Sequence, residues 1–302
     1  MNPILFDMLH GFLVLAMVVN AGAGLHQRGV ELYKQQKYSE AIATLEAAAK
    51  NEGPTSVDFK ESALLIGQSY FQLSQAPKAI PWLEKVTNVN EANYMLGYAY
   101  LQTGQQEQSV AAFARLFGAD PKSAAGYLLA GQMMLKQEYE PQAEAALKKA
   151  LALDPRLPEL HFVLGEIAIY AGRLDEGVAA MQEELRLNPN FAMAWYRLGD
   201  AFSRQEKWDA AIPDLQRAVW LNPDFSGPFI VLGKCYFKTG NYSNAEGILR
   251  RALVIDPRNA SATYLLGQTL MLSGKKDEGR AMLEQWKTLQ QQKAAPSLAT
   301  QP

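Results

Sequence analysis

Trp195-Tyr196-Arg197-Leu198-Gly199-Asp200-Ala201-Phe202 places Trp195, Leu198, Gly199 and Phe202 at i, i+3, i+4 and i+7, the apolar stripe of an α-helix. Ala211, Leu215 and Ala218 resume that spacing shortly afterwards and predict a second helix. Gly199 is out of keeping with its own stripe, because a mid-helix glycine costs on the order of 1 kcal/mol against alanine. The compensation expected is close approach of the paired helix, at a point where a Cβ would clash. Asn222-Pro223 then closes the unit. The residue before a proline avoids the α region, and proline has no N–H with which to continue the ladder.

Working outward from Gly199, the same phase recurs along the chain. Glycines stand at Gly29, Gly67, Gly97, Gly131, Gly165, Gly199, Gly233 and Gly267, with spacings of 38, 30, 34, 34, 34, 34 and 34. A small residue follows about twelve positions later in every unit: Ala41, Ala79, Ser109, Ala143, Gly177, Ala211, Ala245 and Gly279. Four further on comes a large apolar one: Leu45, Leu83, Phe113, Leu147, Met181, Leu215, Leu249 and Leu283. Pro121, Pro155, Pro189, Pro223 and Pro257 each follow Asp or Asn and end repeats 3 to 7. The first two spacings depart by four residues in opposite directions, about one helical turn each. A longer first connection, around 51–56, and a tighter second one, around 88–91, are therefore expected.

With Trp195, Leu198-Gly199, Phe202, Ala211, Leu215, Ala218 and Pro223 at their places, repeat 6 resembles the tetratricopeptide repeat, a 34-residue helix-turn-helix unit. The resemblance covers residues 24 to about 290 and implies an all-α, right-handed superhelical solenoid of about eight such repeats. They fall near 24–55, 60–89, 90–123, 124–157, 158–191, 192–225, 226–259 and 260–293. Arg28, where the family has leucine, suits a first helix with one face in water. Lys275, Lys276, Asp277, Glu278, Arg280, Glu284 and Lys287 suit the polar cap that the last repeat of an array requires. The tail 294–302 lacks apolar periodicity and is expected to be disordered.

Composition narrows the functional classes. A net charge of −2, with 29 Lys and Arg residues spread along the chain and no basic block, argues against nucleic acid as a partner. One cysteine excludes an internal disulfide, and three histidines, scattered along the array, supply little for a metal site. No phosphate-cradling glycine loop, His-Glu-x-x-His, paired-cysteine or Gly-x-Ser-x-Gly motif is present, so no enzyme and no cofactor is expected. Cys235 reads as a small buried filler. Residues 12–19, Phe-Leu-Val-Leu-Ala-Met-Val-Val, followed by Ala21-Gly22-Ala23, fit a secretory signal over 1–23, cut after Ala23, although no Lys or Arg precedes the apolar run. The expectation is an exported, periplasmic or envelope-associated protein with no transmembrane span once the signal is removed. An uncleaved apolar helix and a cytoplasmic protein are the alternative.

The resemblance also implies that the first helix of each pair lines a concave face. The positions concerned lie three before the glycine, one after it, and four to five after it. They are filled here by Leu64 and Gln68, Tyr94 and Tyr98, Leu128 and Gln132, Phe162 and Glu166, Tyr196 and Asp200, Ile230 and Lys234, then Tyr264 and Gln268. Further along the same helices come Phe71, Leu101, Leu135, Tyr170, Arg204, Lys238 and Leu272. The first row is apolar or aromatic from repeat 2 onward. It either packs between neighbouring first helices, about 8–10 Å apart, or forms a trough whose aromatic anchors hold an extended peptide or a partner helix. Asp200 and Lys234 occupy one repeat position in successive units and predict a cross-repeat ion pair. That leaves Arg197, Arg204 and Lys238 as a docking point for an acidic group. Repeats 2 to 4 lack the Lys and Asn set of the family's chaperone-binding carboxylate clamp.

A non-catalytic scaffold binding a peptide or helix segment of a partner protein is thus the leading expectation. The partner-binding residues are Tyr94, Tyr98, Phe162, Glu166, Tyr196, Arg197, Asp200, Arg204, Ile230, Lys234, Lys238 and Tyr264. An architectural or self-assembling role is a second reading. An accessory of a carbohydrate or polymer machine, stacking sugars on Tyr94, Tyr98 and Phe162, is a third.

Overall fold

The computed structural model describes residues 23–294. The apolar run 12–19, with nearly all of the expected signal segment, and the tail from 295 onward lie outside them. Sixteen α-helices and one short 3-10 turn account for the regular structure among the described residues, with no strand. They fall into eight consecutive pairs, exemplified by Ala192–Arg204 with Trp208–Leu221 and Ser226–Lys238 with Tyr242–Ile255.

The repeat glycines Gly29, Gly67, Gly97, Gly165, Gly199, Gly233 and Gly267 are notches, with no room for a Cβ. On Gly29 that atom would lie 2.5 Å from Leu45, on Gly199 2.5 Å from Leu215, on Gly233 2.6 Å from Leu249, and on Gly165 2.9 Å from Met181. Real Cβ atoms do not approach so closely. The large apolar residue sixteen positions on is therefore the knob that enters the notch, and Leu45, Leu83, Phe113, Leu147, Met181, Leu215 and Leu249 are fully buried. The small residue twelve positions on lets the helices close: a Cβ on Gly177 would meet Ile169 at 2.5 Å. The Asn-Pro and Asp-Pro stops act as expected, for Asn188, Asn222 and Asp256 all leave the helical region, with φ of −134°, −139° and −129°.

One regularity has a weaker signature in the sequence. The turn inside every repeat carries a single left-handed residue seven positions after the glycine: Gln36, Ser74, Gly104, Glu138, Gly172, Glu206, Gly240 and Gly274. In repeat 6, Lys207 N–H donates to the Phe202 carbonyl at 2.9 Å and Glu206 N–H to that of Ser203 at 3.2 Å, closing the helix end in the Schellman manner. Only four of the eight are glycine, which conceals the period.

The irregular spacings are absorbed within repeat 2. Its first helix, Val57–Gln72, has 16 residues where the other first helices have 11 to 13, so part of the insertion lengthens this helix after the connection at 50–56. Its second helix, Ala76–Leu83, is only 8 residues long and runs into the 3-10 turn Glu84–Val86. The tight connection that follows is held by buried Asn93, which donates to the Thr87 carbonyl at 2.7 Å and accepts from Arg115 Nε at 3.2 Å.

Contacts group the chain into two compact units, 1–146 and 147–302, divided inside the second helix of repeat 4, Glu140–Leu153. Within each unit, first helices of neighbouring repeats touch one another, and second helices meet more sparsely. First helices therefore take the inner side of each local stack. Seams between consecutive pairs form the core, as where Ala211, Leu215, Leu232, Cys235, Ala245 and Leu249 meet between repeats 6 and 7. No helix among the described residues is long and apolar enough to cross a membrane.

Candidate protein-binding face

In the first unit the aromatic row is largely consumed by packing. Tyr98 is 5% exposed, its ring lies edge-on to Phe113 at 4.9 Å, and its hydroxyl donates to the Met133 carbonyl at 3.1 Å. Burial pushes its phenol well above the ordinary range. The expectation that Tyr98 faces a partner is corrected accordingly: it bridges repeats 3 and 4 from inside the stack. Tyr94 is half-buried against it, the two rings 4.9 Å apart. Gln68 is likewise buried.

The second unit keeps more of its row at the surface. Phe162 is half-buried and tilted on Phe191 at 4.8 Å, its own N–H directed to buried Glu184 at 3.4 Å. Tyr196 stands edge-on to Phe225 at 5.4 Å, Ile230 packs against the buried cluster of Phe229, Ala252 and Ala262, and Tyr264 leans on Trp286 at 4.8 Å. Gln268 donates to the Tyr264 hydroxyl at 2.8 Å. Each of these side chains thus has a neighbour on one side and solvent on another. Tyr170 differs, at 64% exposed.

The charges pair differently from the arrangement expected. Asp200 bonds Arg204 at 2.9 Å, one turn along its own helix, and not Lys234. Arg197 is held by Glu166 of the preceding repeat at 2.8 Å, and donates also to the Tyr170 hydroxyl at 2.9 Å. Its guanidinium lies 5.4 Å from the Tyr170 ring centroid and 5.3 Å from that of Tyr196. Of the predicted trio Arg197, Arg204 and Lys238, both arginines are therefore engaged by carboxylates of the chain. Lys234 and Lys238 lie over Trp208, 5.2 and 5.9 Å from its centroid, and neither has a carboxylate partner among the described residues. The physical reason is reach. An arginine four residues on folds back onto Asp200 within one helix, whereas Lys234 is drawn to an indole face.

Packing and hydrogen bonds account for the described histidines and the cysteine. His26 is buried against Ser62 and Glu61 in repeat 1, and His161 bonds the Pro155 carbonyl. Cys235 is fully buried in the seam, where desolvation pushes its thiol up to about 11, so it is a filler with no thiolate at neutral pH.

Three tetratricopeptide repeat models match the chain, the first over residues 26–92 and 162–225, the second over 90–123 and the third over 240–301. No curated protein matches it. Among solved structures, MamA protein is 25% identical, the match covering 61% of this chain and 100% of that one with a TM-score of 0.53. YrrB, a TPR protein with an unusual peptide-binding site, is 23% identical over 60% of this chain and 93% of its own, TM-score 0.54. PilF of Pseudomonas aeruginosa is 22% identical over 66% and 91%, TM-score 0.53. The last two likenesses bear on the fold alone.

Proposed function

Because the chain belongs to the tetratricopeptide repeat family, we propose that it is a non-catalytic scaffold of the cell envelope, holding a peptide or helix segment of a partner protein. The first helices of repeats 5 to 8 carry the binding face. One observation carries this reading: beside the exposed ring of Tyr170, the guanidinium of Arg197 is locked in place, while Lys234 and Lys238 lie over the Trp208 indole with no carboxylate partner among the described residues. A segment with an apolar or aromatic side chain and a carboxylate fits that combination. The ring offers a pre-ordered anchor at small entropic cost, and an acidic group gives each lysine the counter-charge it lacks. Half-buried Phe162, Tyr196, Ile230 and Tyr264 border the same face. The envelope location rests on the apolar run 12–19 and the Ala21-Gly22-Ala23 pattern.

The test is selection of a random peptide library on the full chain, with counter-selection on the Lys234→Glu/Lys238→Glu variant. Enriched peptides are expected to carry Asp or Glu near an aromatic residue, to lose at least tenfold in affinity for the variant, and to bind more weakly as salt rises. Selection of neutral peptides that bind both proteins equally, or affinity indifferent to salt, would overturn the reading. Light scattering on the same sample checks the alternative in which these faces are occupied by other copies of the chain.

A further inference from the structure

A second feature lies on the opposite side of repeat 6 and shares no residue with the first-helix face. Between the second helix of repeat 5, Leu174–Leu187, and that of repeat 6, Trp208–Leu221, opens a cleft of about 460 Å³. This is ample for one long side chain. Leu185, Trp195, Leu198 and Phe202 make its lining apolar and aromatic, and Asp214 supplies a carboxylate. The indole of Trp195 is fixed by its own N–H, which donates to the Pro189 carbonyl at 2.9 Å.

Asp214 breaks the rule of the array. It stands fifteen residues after the repeat glycine, and every other repeat has an uncharged residue there, among them Ala112, Ala146, Ala180, Ile248 and Met282. A position used elsewhere for packing has no structural need of a carboxylate. Nor is this one neutralised within the chain, for Asp214 forms no ion pair with any described residue, and burial alone raises its carboxyl to about 6. The cation on the rim is already committed: Arg186 grips Glu183 with Nη2 at 2.6 Å and Nε at 3.0 Å. An aromatic cleft with a lone, half-buried carboxylate has the chemistry that recognises an alkylammonium or guanidinium cation, which pairs with the acid while its stem displaces water from the rings.

We propose that this cleft is a second binding site, which receives a lysine or arginine side chain of a bound protein segment, the cationic head on Asp214 and the stem against Trp195 and Phe202. The scaffold would then hold partners on two sides, an acidic segment on the first helices and a basic side chain between the second.

The measurement is NMR titration of the full chain with N-acetyl-lysine amide and N-acetyl-arginine amide, following the Trp195 indole resonance, identified by its loss in Trp195→Phe. N-acetyl-norleucine amide serves as the uncharged control and n-butylammonium as the free amine. Both cationic amino-acid probes are expected to shift the indole, norleucine to leave it unmoved, and n-butylammonium to bind several-fold more weakly than the lysine probe. Asp214→Asn is expected to lower affinity at least tenfold while its melting temperature stays at or above that of the parent, which separates lost binding from lost structure. Undiminished binding by a folded Asp214→Asn chain, or equal binding of the norleucine probe, would refute the cation site. Equal or tighter binding of n-butylammonium would refute a protein segment as its occupant.

Discussion

On the first-helix side of repeat 6, Arg197, Asp200 and Arg204 all have partners, two of them within one helix and the third across the seam to Glu166. On the second-helix side of the same repeat, Asp214 faces an aromatic cleft with no ion-pair partner. Both sides are carried by one helix pair, locked by Leu215 in the notch of Gly199. Charges that already satisfy one another stiffen a surface and add little to capture, so the binding proposed for the inner side falls to Tyr170, Lys234 and Lys238. A half-buried charge left alone weakens the fold it belongs to, and a ligand's counter-charge relieves that penalty. The contrast separates charges that serve the stack from charges left open to a ligand.

The strongest way to break the comparison is to remove what both sides share. Leu215→Ala empties the notch under Gly199, and a fully buried leucine lost from a core costs about 2–5 kcal/mol. Chemical denaturation should show a loss of about 3 kcal/mol, with cleft and face weakened together. Arg197→Ala should act on the inner side alone. It leaves Glu166, whose side chain is 26% exposed, without its cation and frees the Tyr170 hydroxyl, and the cost should be about 1–2 kcal/mol, between the values for exposed and fully buried pairs. The Trp195 indole resonance should not move. A shift there would mean that the two sides are coupled through the repeat.

Asp214→Asn should act with the opposite sign. The folded carboxyl titrates near 6 against 3.8 for the free group, so the folded state resists ionisation, and ionised Asp214 destabilises it at all pH values above 6. The penalty fades as pH falls from 6 to 4, and below 4 the acid is protonated in both states. Water at the cleft mouth screens the charge, and the asparagine should be more stable by about 1 kcal/mol at pH 7. Parent and variant should converge at pH 3.5. A gain that persists there would show that the side-chain amide packs better than the acid, and that charge is not the cause.

The repeat pattern was legible because each unit solves the same packing problem with the same residues. Glycine notch, small residue, large knob and proline stop all rest on local sterics, which spacing alone records. Partner choice among charges was not legible. By repeat position Asp200 could pair with Arg204 on its own helix or Lys234 one repeat on, and the short i,i+4 reach to Arg204 and the nearness of Trp208 to Lys234 decide between them. Tyr98 was misplaced for a related reason: its repeat position faces a groove only where its neighbours leave room, and here Phe113 and the Met133 carbonyl of repeat 4 close around it. Asp214 could have been found by aligning the repeats at fifteen residues past the glycine, where the one charge among eight residues stands out.

The smallest expected effect isolates the hinge between the two sides. Glu206 joins the helices of repeat 6 with a φ of 61°, a region in which glycine at the equivalent Gly172 and Gly240 meets no Cβ penalty. Its backbone bonds through Lys207 and Glu206 to Phe202 and Ser203 do not depend on its side chain. Glu206→Gly removes the left-handed strain but adds freedom to the unfolded chain, two effects of opposite sign of which the strain is the larger. A net gain of about 0.5 kcal/mol is expected, read as a rise in the thermal midpoint with unchanged denaturant slope. Because neither the cleft nor the lysine face includes residue 206, both titrations should be unaltered. A change in either would mean that the angle between the paired helices, and not only the residues they carry, sets what each side can bind.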